Sequence, residues 1–570
     1  MGKEPGKVLK NRDLLALEKS FKPYGKKGSV RVCLVYPNRY KAGMSNLGFQ
    51  TLYRLMNDQS NVSCERAFLP ANSENVRSLE GNLKLASFDI IAFSISFEND
   101  YVNLVSLLQD AGIPLKSSDR NKFHPLVIAG GISCFLNPEP IAPFMDCILL
   151  GETESFIKQF FDIYNSLRSK EKILKELAEY LPSAYVPSFY KISESLDNIP
   201  KKPFPVHGYA GKSIKVNYVL NLNEISTTTS ILTSNTTFKN IFLIETARGC
   251  PHGCRFCSAG FIYRPPRFYS KENILKSMEI GKRLTDKIGF VSAAVTDHPD
   301  INEICEHALN ENLKTSFSSF RADLLSRNVL KSLGKASIKT ATIAPEAGSQ
   351  RMRNIINKNI SENEILNCTN FLVSSGIFNL RLYFLIGLPF EKDEDIHAIV
   401  GLIKKIKLIF LDASKKQKKI GTITISINPF IPKPSTPFQW AGFTKEAILK
   451  KRFAIIRDGL KKVGNVVIKT ESIKQAKINA LLSRADRHGA DVLMAACKSG
   501  WTNALKTFKE YIDPIVYNTW DMESDLPWDI VDTGLKKDFL RKEYKRAKQG
   551  KTTRSCPGID CNKCRICKTA

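Results

Sequence analysis

The chain has 570 residues, of which 43% are hydrophobic and 25% are charged. This balance excludes a disordered or fibrous protein, and at about 100–200 residues per domain it predicts three or four folded units. The sequence has no run of eighteen apolar residues and no apolar leader stretch. We therefore expect a cytosolic protein without a membrane partner.

The charge balance is strongly basic, with 84 Lys and Arg against 56 Asp and Glu and a formal charge of +28. Such a field attracts polyanions, so RNA or a phosphate-bearing small molecule is a candidate substrate. The basic excess is spread along the chain rather than gathered in one block, and compositional bias explains it equally simply. Both interpretations stay open.

The N-terminal part alternates between strand and helix patterns. Residues 1–28 have no apolar period, so we predict a loosely attached basic arm, with ordered structure beginning at Val30. In residues 29–200, buried-strand patterns occur at 30–36, 88–95, 125–131 and 147–150, with helical patterns between them. This alternation predicts a doubly wound parallel sheet with helices on both faces, an α/β fold.

A second α/β unit follows a polar stretch. Residues 201–240 are predicted to form a linker or exposed hairpin, because 222–239 is rich in Ser and Thr. Residues 241–445 contain strand candidates at 241–246, 289–295, 314–319, 339–345, 379–386 and 420–427. This pattern predicts a partial (βα)6 barrel, with its chemistry at the C-terminal ends of the strands. Residues 446–550 are predicted to be helical, and 551–570 form a Cys-rich tail.

Three cysteines, Cys250, Cys254 and Cys257, lie on one loop directly after the first barrel strand. Three thiolates at this spacing can bind three irons of a [4Fe-4S] cluster and leave the fourth iron open to an exchangeable ligand. Phe256 can shield one face of the cluster. A zinc site completed by His252 is the alternative interpretation.

This Cys-x-x-x-Cys-x-x-Cys loop, with Phe256 before its last cysteine, resembles the signature of the radical S-adenosylmethionine (radical SAM) superfamily. The resemblance implies that SAM chelates the open iron and that the reduced cluster cleaves SAM. The resulting 5′-deoxyadenosyl radical abstracts hydrogen from a substrate. It also implies a flavodoxin- or ferredoxin-type reductant, and methylation or another C–H transformation as the outcome.

The same resemblance marks candidate SAM contacts at the ends of the barrel strands. They are Phe256, Asp297, Arg321, Glu346, Gly348, Gly387 and Pro389. Arg321 is expected to pair with the SAM carboxylate. Many members carry Gly-Gly-Glu for the methionine amino group where this chain has Val295-Thr296-Asp297-His298. Asp297 is the candidate replacement for that glutamate, and a solvated loop carboxylate is the alternative.

Residues 29–200 resemble the cobalamin-binding domain that precedes the barrel in one radical SAM class. The candidate cobalamin contacts are Asn38, Ser94, Gly130 and Gly131. The loop at 37–48 lacks the Asp-x-His-x-x-Gly lower-ligand motif, so a bound cobalamin and a bare scaffold are alternatives. This loop and Asn-Pro-Glu-Pro at 137–140 are most similar to an uncharacterised radical SAM family with a B12-binding-like N-terminus.

The tail carries Cys556, Cys561, Cys564 and Cys567. Four thiols in so short a peptide form a ligand set, for a second iron–sulfur cluster or a structural zinc. The other seven cysteines stand singly among apolar neighbours and are predicted to be small buried side chains. Two further functions stay open: methylthiolation of tRNA or protein, and a non-catalytic iron–sulfur module that binds RNA.

Overall fold

A computed structural model describes residues 9–20, 28–71, 75–167, 169–193, 200–317, 321, 323, 329, 340–558, 561, 563–564 and 566–568. Within these residues, none of the helices combines the length and the apolar character needed to cross a lipid bilayer. The chain forms two parallel α/β units that a C-terminal helical region joins.

The first unit contains short strands and helices that alternate along the chain. Its strands are β1 (Glu18–Ser20), β2 (Val30–Tyr36), β3 (Val62–Phe68), β4 (Ile90–Ser94), β5 (Leu126–Gly130), β6 (Cys147–Leu149), β7 (Ala184–Tyr185), β8 (Tyr190–Lys191) and β9 (Phe204–Pro205). Its helices are α1 (Asn11–Ala16), α2 (Tyr40–Gly43), α3 (Leu47–Asp58), α4 (Tyr101–Asp110), α5 (Ile132–Leu136), α6 (Ile157–Ser166) and α7 (Lys170–Tyr180).

The central sheet of this unit has the order β3-β2-β4-β5-β6-β7 and is parallel except for β7. Every residue of β4 is buried, as expected of a strand covered by helices on both faces. The strand order reverses between β2 and β4, and ligands of doubly wound sheets bind outside the carboxyl ends of the strands at such a point. The predicted doubly wound fold is confirmed.

The N-terminal arm differs from the prediction. Residues 11–16 are helical, and β1 pairs antiparallel with β11 (Ile231–Thr233), whose residues are all buried. The Glu18 carboxylate accepts hydrogen bonds from Arg66, at 2.7 Å, and from the Tyr40 hydroxyl, at 2.6 Å. Order therefore begins before Val30, and the stretch at 222–239 contains a buried strand rather than only an exposed hairpin. Because β1 and β11 are far apart in the sequence, no local apolar pattern predicts that they pair.

The second unit contains the remaining strands and helices. Its strands are β10 (Ile214–Lys215), β11, β12 (Phe242–Glu245), β13 (Ala247–Arg248), β14 (Arg267–Phe268), β15 (Lys287–Val291), β16 (Lys314–Phe317), β17 (Thr340–Glu346), β18 (Asn379–Ile386), β19 (Ile423–Pro429), β20 (Val466–Thr470) and β21 (Val531–Asp532). Its helices, with those of the C-terminal region, are α8 (Lys271–Lys282), α9 (Ile301–Asn310), α10 (Gln350–Ile355), α11 (Glu362–Ser374), α12 (Asp393–Lys416), α13 (Glu446–Leu460), α14 (Ile473–Arg484), α15 (Gly489–Thr507), α16 (Lys509–Tyr517) and α17 (Lys537–Lys548).

The barrel strands form two parallel groups, β12-β15-β16 and β17-β18-β19-β20. Most residues between β16 and β17 lie outside the described part of the chain. All six predicted barrel strands are present, and β20 adds a seventh in the region predicted to be helical. The sequence did not predict β20, because this short edge strand has no buried residue and therefore lacks a strong apolar pattern.

The C-terminal helices pack on both α/β units. Leu482 and Leu493 belong to the apolar core of the first unit, whereas Leu481 and Val492 belong to that of the second. Across the same junction, Arg487 donates to the buried Glu139 carboxylate at 2.9 Å. These helices therefore fix the first sheet relative to the barrel, and the polar stretch at 483–488 has a structural role in this contact.

Candidate functional site

The three-cysteine loop lies at the carboxyl end of β12, where the backbone folds back on itself. Gly249 has φ of +86°, and a Cβ there would lie 2.4 Å from the Tyr263 carbonyl oxygen, so a glycine is required. The loop ends at Cys257, after which a short turn leads to β14. The antiparallel pairing of β13 with β14 brings the two ends of the loop together.

The thiols of this loop are largely shielded from water and interact with one another. Burial, followed by the charge of Cys254, raises the pKa of Cys250 to about 12 and that of Cys257 to about 11. Within the described ranges, no three Cys, His, Asp or Glu side chains stand close enough to form a metal-ligand set as they are. The sulfurs must therefore move toward one another and release protons when iron binds. Three adjacent soft ligands on one loop suit an iron–sulfur cluster chemically.

The two residues between Cys254 and Cys257 hold the loop in place. Phe256 packs against a small apolar cluster that includes Ala347 and Leu388, at the ends of β17 and β18. Arg255 is completely buried and donates to Glu543 of α17 through Nε, at 3.1 Å, and Nη2, at 2.9 Å. Sequence reasoning missed this pair, because its members are 288 residues apart and nothing local to either indicates the other.

Asp297 lies directly beside the cysteine loop. One carboxylate oxygen, Oδ1, is 2.6 Å from His252 Nε2. The other, Oδ2, is buried and has no hydrogen-bond partner. A buried carboxylate oxygen without a partner carries an energetic cost that an incoming cationic donor would remove. Asp297 is therefore not the solvated loop carboxylate of the alternative interpretation, and its free oxygen suits an ammonium group such as that of SAM.

Arg321 and Glu346 meet around Lys358. Arg321 donates to Asp323 at 3.0 Å and to the Lys358 carbonyl oxygen at 3.2 Å. The largely buried Lys358 ammonium group donates to Glu346 at 3.2 Å. Burial lowers the pKa of Lys358, but the charge of Glu346, followed by that of Cys254, outweighs this effect and raises it. Lys358 is a polar residue of the site that sequence reasoning did not find.

The ends of β17 and β18 have unusual backbone geometry. Glu346 has φ of +66°, a strained conformation for a residue with a side chain, and it follows an irregularity in the pairing of β17 with β18. At Gly348, a Cβ would lie 2.1 Å from the Ile399 backbone nitrogen, so close packing against α12 requires the glycine. The Gly387 N–H donates to Glu391 at 2.6 Å, which stabilises the turn leading to Pro389.

A cavity of about 480 Å³ lies between the two α/β units. On one side it is lined by Ser94, Gly130 and Gly131, at the carboxyl ends of β4 and β5. On the other side it is lined by Arg248 and Gly249, which precede the first cysteine of the loop. Its volume is typical of a ligand site. Of the four predicted cobalamin contacts, only Asn38 is not among the lining residues, and its amide instead donates to Asp100 at 2.7 Å.

Arg248, on the wall of this cavity, forms ion pairs with three carboxylates. Its guanidinium contacts Glu154 at 2.7 Å, Glu245 at 2.9 Å and Glu152 at 3.0 Å. Burial would lower the pKa of Arg248, but these carboxylates outweigh it and raise the pKa. Because Glu152 and Glu154 follow β6 and Glu245 ends β12, this network connects the first unit to the barrel at the cavity.

The four tail cysteines lie around one cavity, although, as with the loop thiols, no three of them, all within the described part of the chain, stand close enough to form a metal-ligand set as they are. Cys556, Cys561, Cys564 and Cys567 line one small cavity next to Arg264. Cys564 is 3% exposed, and burial raises the pKa of Cys556.

Comparisons with known proteins identify the family. Residues 48–187 match the model "Radical SAM proteins, N-terminal", and residues 244–403 match "Radical SAM superfamily". The uncharacterised protein MJ0966 of Methanocaldococcus jannaschii is 30% identical over 80% of this chain and 89% of its own length. The chain belongs to the radical SAM superfamily. Its predicted membership is thereby confirmed, and the protein is an enzyme of the class that uses a [4Fe-4S] cluster and SAM.

Two more distant similarities extend this result. An uncharacterised methyltransferase, PH0819 of Pyrococcus horikoshii, is 23% identical over 60% of this chain and 72% of its own length. The radical SAM methyltransferase TsrM from Kitasatospora setae, solved with cobalamin and a [4Fe-4S] cluster, is 11% identical. The structural match covers 85% of this chain and 98% of the TsrM chain, with a TM-score of 0.51. The likeness to TsrM bears on the fold alone, and it agrees with the α/β architecture described above.

Proposed function

We propose that this radical SAM enzyme cleaves SAM at a [4Fe-4S] cluster held by Cys250, Cys254 and Cys257 and methylates an unreactive carbon of its substrate with the help of cobalamin. One observation carries the proposal: the interdomain cavity is lined by Arg248 and Gly249, which directly precede Cys250, and by the carboxyl edge of the doubly wound sheet. A substrate in this cavity would lie between the start of the cysteine loop and that edge of the sheet. Another C–H transformation in the same cavity is the broader form of the proposal.

The cluster would supply one electron to SAM, and the 5′-deoxyadenosyl radical so formed would abstract hydrogen from the substrate. The residues of the chain bind and orient SAM. The free Oδ2 of Asp297 would accept a hydrogen bond from the SAM ammonium group. Arg321, which pairs with Asp323 here, would also pair with the SAM carboxylate. Glu346, held by Lys358, lies at the same end of the barrel. In the cell, a flavodoxin- or ferredoxin-type protein would provide the electron.

Bound cobalamin would supply the methyl group, which it would take from a second SAM, for transfer to a carbon that is not nucleophilic. The residues that would hold it are Ser94, Gly130 and Gly131, which form one wall of the cavity at the carboxyl edge of the sheet. A Cβ at Gly131 would lie 2.3 Å from the Ile95 carbonyl oxygen, so the position requires glycine and no side chain covers the backbone there. The uncharacterised methyltransferase from Pyrococcus horikoshii and the cobalamin-bound methyltransferase TsrM also support this choice.

Methylthiolation has less support. Methylthiotransferases resemble this chain in their domain order, but they usually carry the ligands of the extra cluster in the N-terminal domain. Here the cysteines of that domain are fully buried in the core and belong to strands or helices: Cys33, Cys64, Cys134 and Cys147. Burial raises the pKa of each of these thiols, as expected of apolar packing groups.

The test is anaerobic reconstitution of the full chain with iron and sulfide, followed by reduction with dithionite in the presence of SAM. We expect 5′-deoxyadenosine from wild type and none from a variant with Cys250→Ala, Cys254→Ala and Cys257→Ala. Cys497→Ala, a half-buried cysteine outside both ligand sets, is the matched control. If properly reconstituted wild type neither binds nor consumes SAM, the proposal is wrong.

Cobalamin binding has its own readout. Protein expressed with cobalamin should retain corrinoid absorbance after gel filtration. Gly130→Leu, which places a bulky side chain in the cavity wall, should reduce the retained corrinoid while iron content stays unchanged. Corrinoid retention by the variant equal to that of wild type would place cobalamin elsewhere. Nucleic acid that copurifies with the protein would connect the +28 charge to a phosphate-bearing substrate.

A further inference from the structure

The cysteine tail is docked on the radical SAM loop. The Cys556 N–H donates to the carbonyl oxygen of Pro251 at 2.7 Å, and Pro251 is the residue next to Cys250. One position earlier, Ser555 Oγ is 3.2 Å from His252 Nδ1. Cys250 and Cys556 are 306 positions apart in the sequence. In the fold, one hydrogen bond joins Cys556 to Pro251, the residue directly after Cys250, so the two thiol sets are neighbours.

A second contact strengthens this docking. The Thr553 N–H donates to Asn357 Oδ1 at 2.7 Å, and the amide nitrogen of Asn357 donates to the Gly253 carbonyl oxygen at 3.0 Å. Arg255 adds a hydrogen bond to the Lys551 carbonyl oxygen at 2.8 Å. The segment that leads into the tail is thus attached at Lys551, Thr553 and Cys556, which fixes the position of Cys556 beside the cysteine loop.

Arg264 is a cation shared by the two thiol sets. It lines the cavity of the tail cysteines together with all four of their side chains. It also lies near the loop, because a Cβ at Gly253 would be 3.2 Å from its guanidinium nitrogen Nη2. Its guanidinium carbon is 5.1 Å from the ring centroids of both Phe261 and Phe539. A cation held in this way suits anionic metal–thiolate centres on both sides.

The spacing of the tail cysteines fits either metal, and it fits an iron–sulfur cluster better than a zinc ion. Cys561, Cys564 and Cys567 follow one another at intervals of three residues, the Cys-x-x-Cys-x-x-Cys run typical of iron–sulfur proteins. Cys556, followed by Pro557, provides a fourth thiol from the other side of a turn that contains Gly558. Structural zinc sites instead pair two separate units, typically a Cys-x-x-Cys unit with a second pair of cysteines or histidines. The run therefore favours a cluster over a single zinc ion.

We propose that Cys556, Cys561, Cys564 and Cys567 hold a second [4Fe-4S] cluster, docked on the loop that carries Cys250, Cys254 and Cys257. This site lies outside the SAM site, so the proposal stands or falls independently of the reaction proposed above. The four thiols bind a preformed [4Fe-4S] cluster as thiolates and release their protons to solvent.

The metal content of anaerobically reconstituted full-length protein tests the proposal. We expect about eight iron and eight sulfide per chain, four for each cluster, and no stoichiometric zinc. The variant with Cys561→Ala, Cys564→Ala and Cys567→Ala should hold about four iron, and so should the variant with the three loop cysteines replaced by alanine. The control Cys497→Ala should hold as much iron as wild type.

Four iron and one zinc in wild type, or eight iron in the tail variant, would overturn the proposal. The wild-type content decides even if the tail variant does not fold. Electron paramagnetic resonance of the reduced variants gives a second readout, because SAM should change the signal of the tail variant and leave that of the loop variant unchanged. Wild type with eight iron that makes no 5′-deoxyadenosine would refute the proposed reaction and leave the second cluster standing.

Discussion

His252 Nε2 lies 2.6 Å from Asp297 Oδ1, and this contact connects the cysteine loop to the end of β15. It orients Asp297 and leaves the buried Oδ2 without a partner. Because Ser555 contacts the other ring nitrogen of His252, the imidazole lies between the tail and the carboxylate proposed to bind SAM. The orientation of Asp297 thus depends on the loop and the tail together.

Asp297→Asn should weaken SAM binding by roughly 10- to 100-fold, because a hydrogen bond to a charged group contributes about 1.5–3 kcal/mol. Titration calorimetry of SAM into the reconstituted, unreduced protein measures the dissociation constant. Asp286→Asn is the matched control, since that carboxylate pairs with Lys314 at the surface, and its dissociation constant should equal that of wild type. Equal affinity of the Asp297 variant and wild type would show that Asp297 does not contact SAM.

Glu543→Gln should lower the free energy of unfolding by about 3–5 kcal/mol, because it leaves the fully buried Arg255 guanidinium without a counter-charge. The loss of α17 docking should also speed iron release to a chelator. Denaturant unfolding and chelation kinetics measure the two effects. Glu523→Gln removes the exposed partner of Arg541 and should cost less than about 1 kcal/mol. Equal effects of the two substitutions would contradict the role of the buried pair.

Asp100 should make stability depend on pH. Burial raises its pKa to about 6, against the opposing hydrogen bond from Asn38. The folded protein therefore holds this proton more tightly than the unfolded chain, whose Asp has a pKa of about 4. The stabilising contribution is complete below pH of about 4 and is lost as the pH rises through about 6.

Asp100→Asn removes this dependence and keeps an acceptor for Asn38. Relative to wild type, its free energy of unfolding should increase by about 1–2 kcal/mol between pH 4 and pH 7.5. Urea unfolding at several pH values measures the difference, and Asp110→Asn, at an exposed position in the same segment, serves as the control. A difference that does not change with pH would contradict the raised pKa.

Gly348→Ala should destabilise the protein by at least about 1–3 kcal/mol, because the added Cβ would overlap the backbone of α12 at Ile399. Gly401 lies within α12, and a Cβ added there has open space around it. Gly401→Ala should therefore stabilise the protein by about 0.5–1 kcal/mol. Thermal unfolding of the two variants checks the opposite signs. If Gly348→Ala were neutral in stability and impaired SAM binding alone, Gly348 would be a SAM contact rather than a packing residue.

The sequence predicted those parts of the fold that local pattern determines. Strand β4 is buried on both faces and therefore forms a continuous apolar run. Ser361 and Glu364, three residues apart, form a capping box at the start of α11, a spacing that the sequence alone displays. The edge strand β20 escaped prediction because no residue in it is buried. The strand pairing of β1 with β11 escaped because it joins segments more than 200 residues apart.

The candidate site divides in the same way. The cysteine loop and Asp297 were predicted, because short motifs and their place after a strand carry the information. Lys358 and Glu543 were not, since each acts through a partner brought near by the tertiary fold alone. The assignment of Gly348 from a motif also shows a limit of such reasoning: the geometry gives the glycine a packing role, which a motif does not distinguish from ligand contact.

The burial of Arg255 against Glu543 has a consequence for biosynthesis. The ribosome completes the cysteine loop well before α17, which lies 288 residues later in the chain. At about 5–20 residues per second, the loop exists for roughly 15–60 seconds before its counter-charge is made. During this interval the loop lacks the cover of α17 and the tail, so iron and sulfide can be delivered to a nascent chain. A translation that stalls before α17 would leave the loop exposed to oxygen.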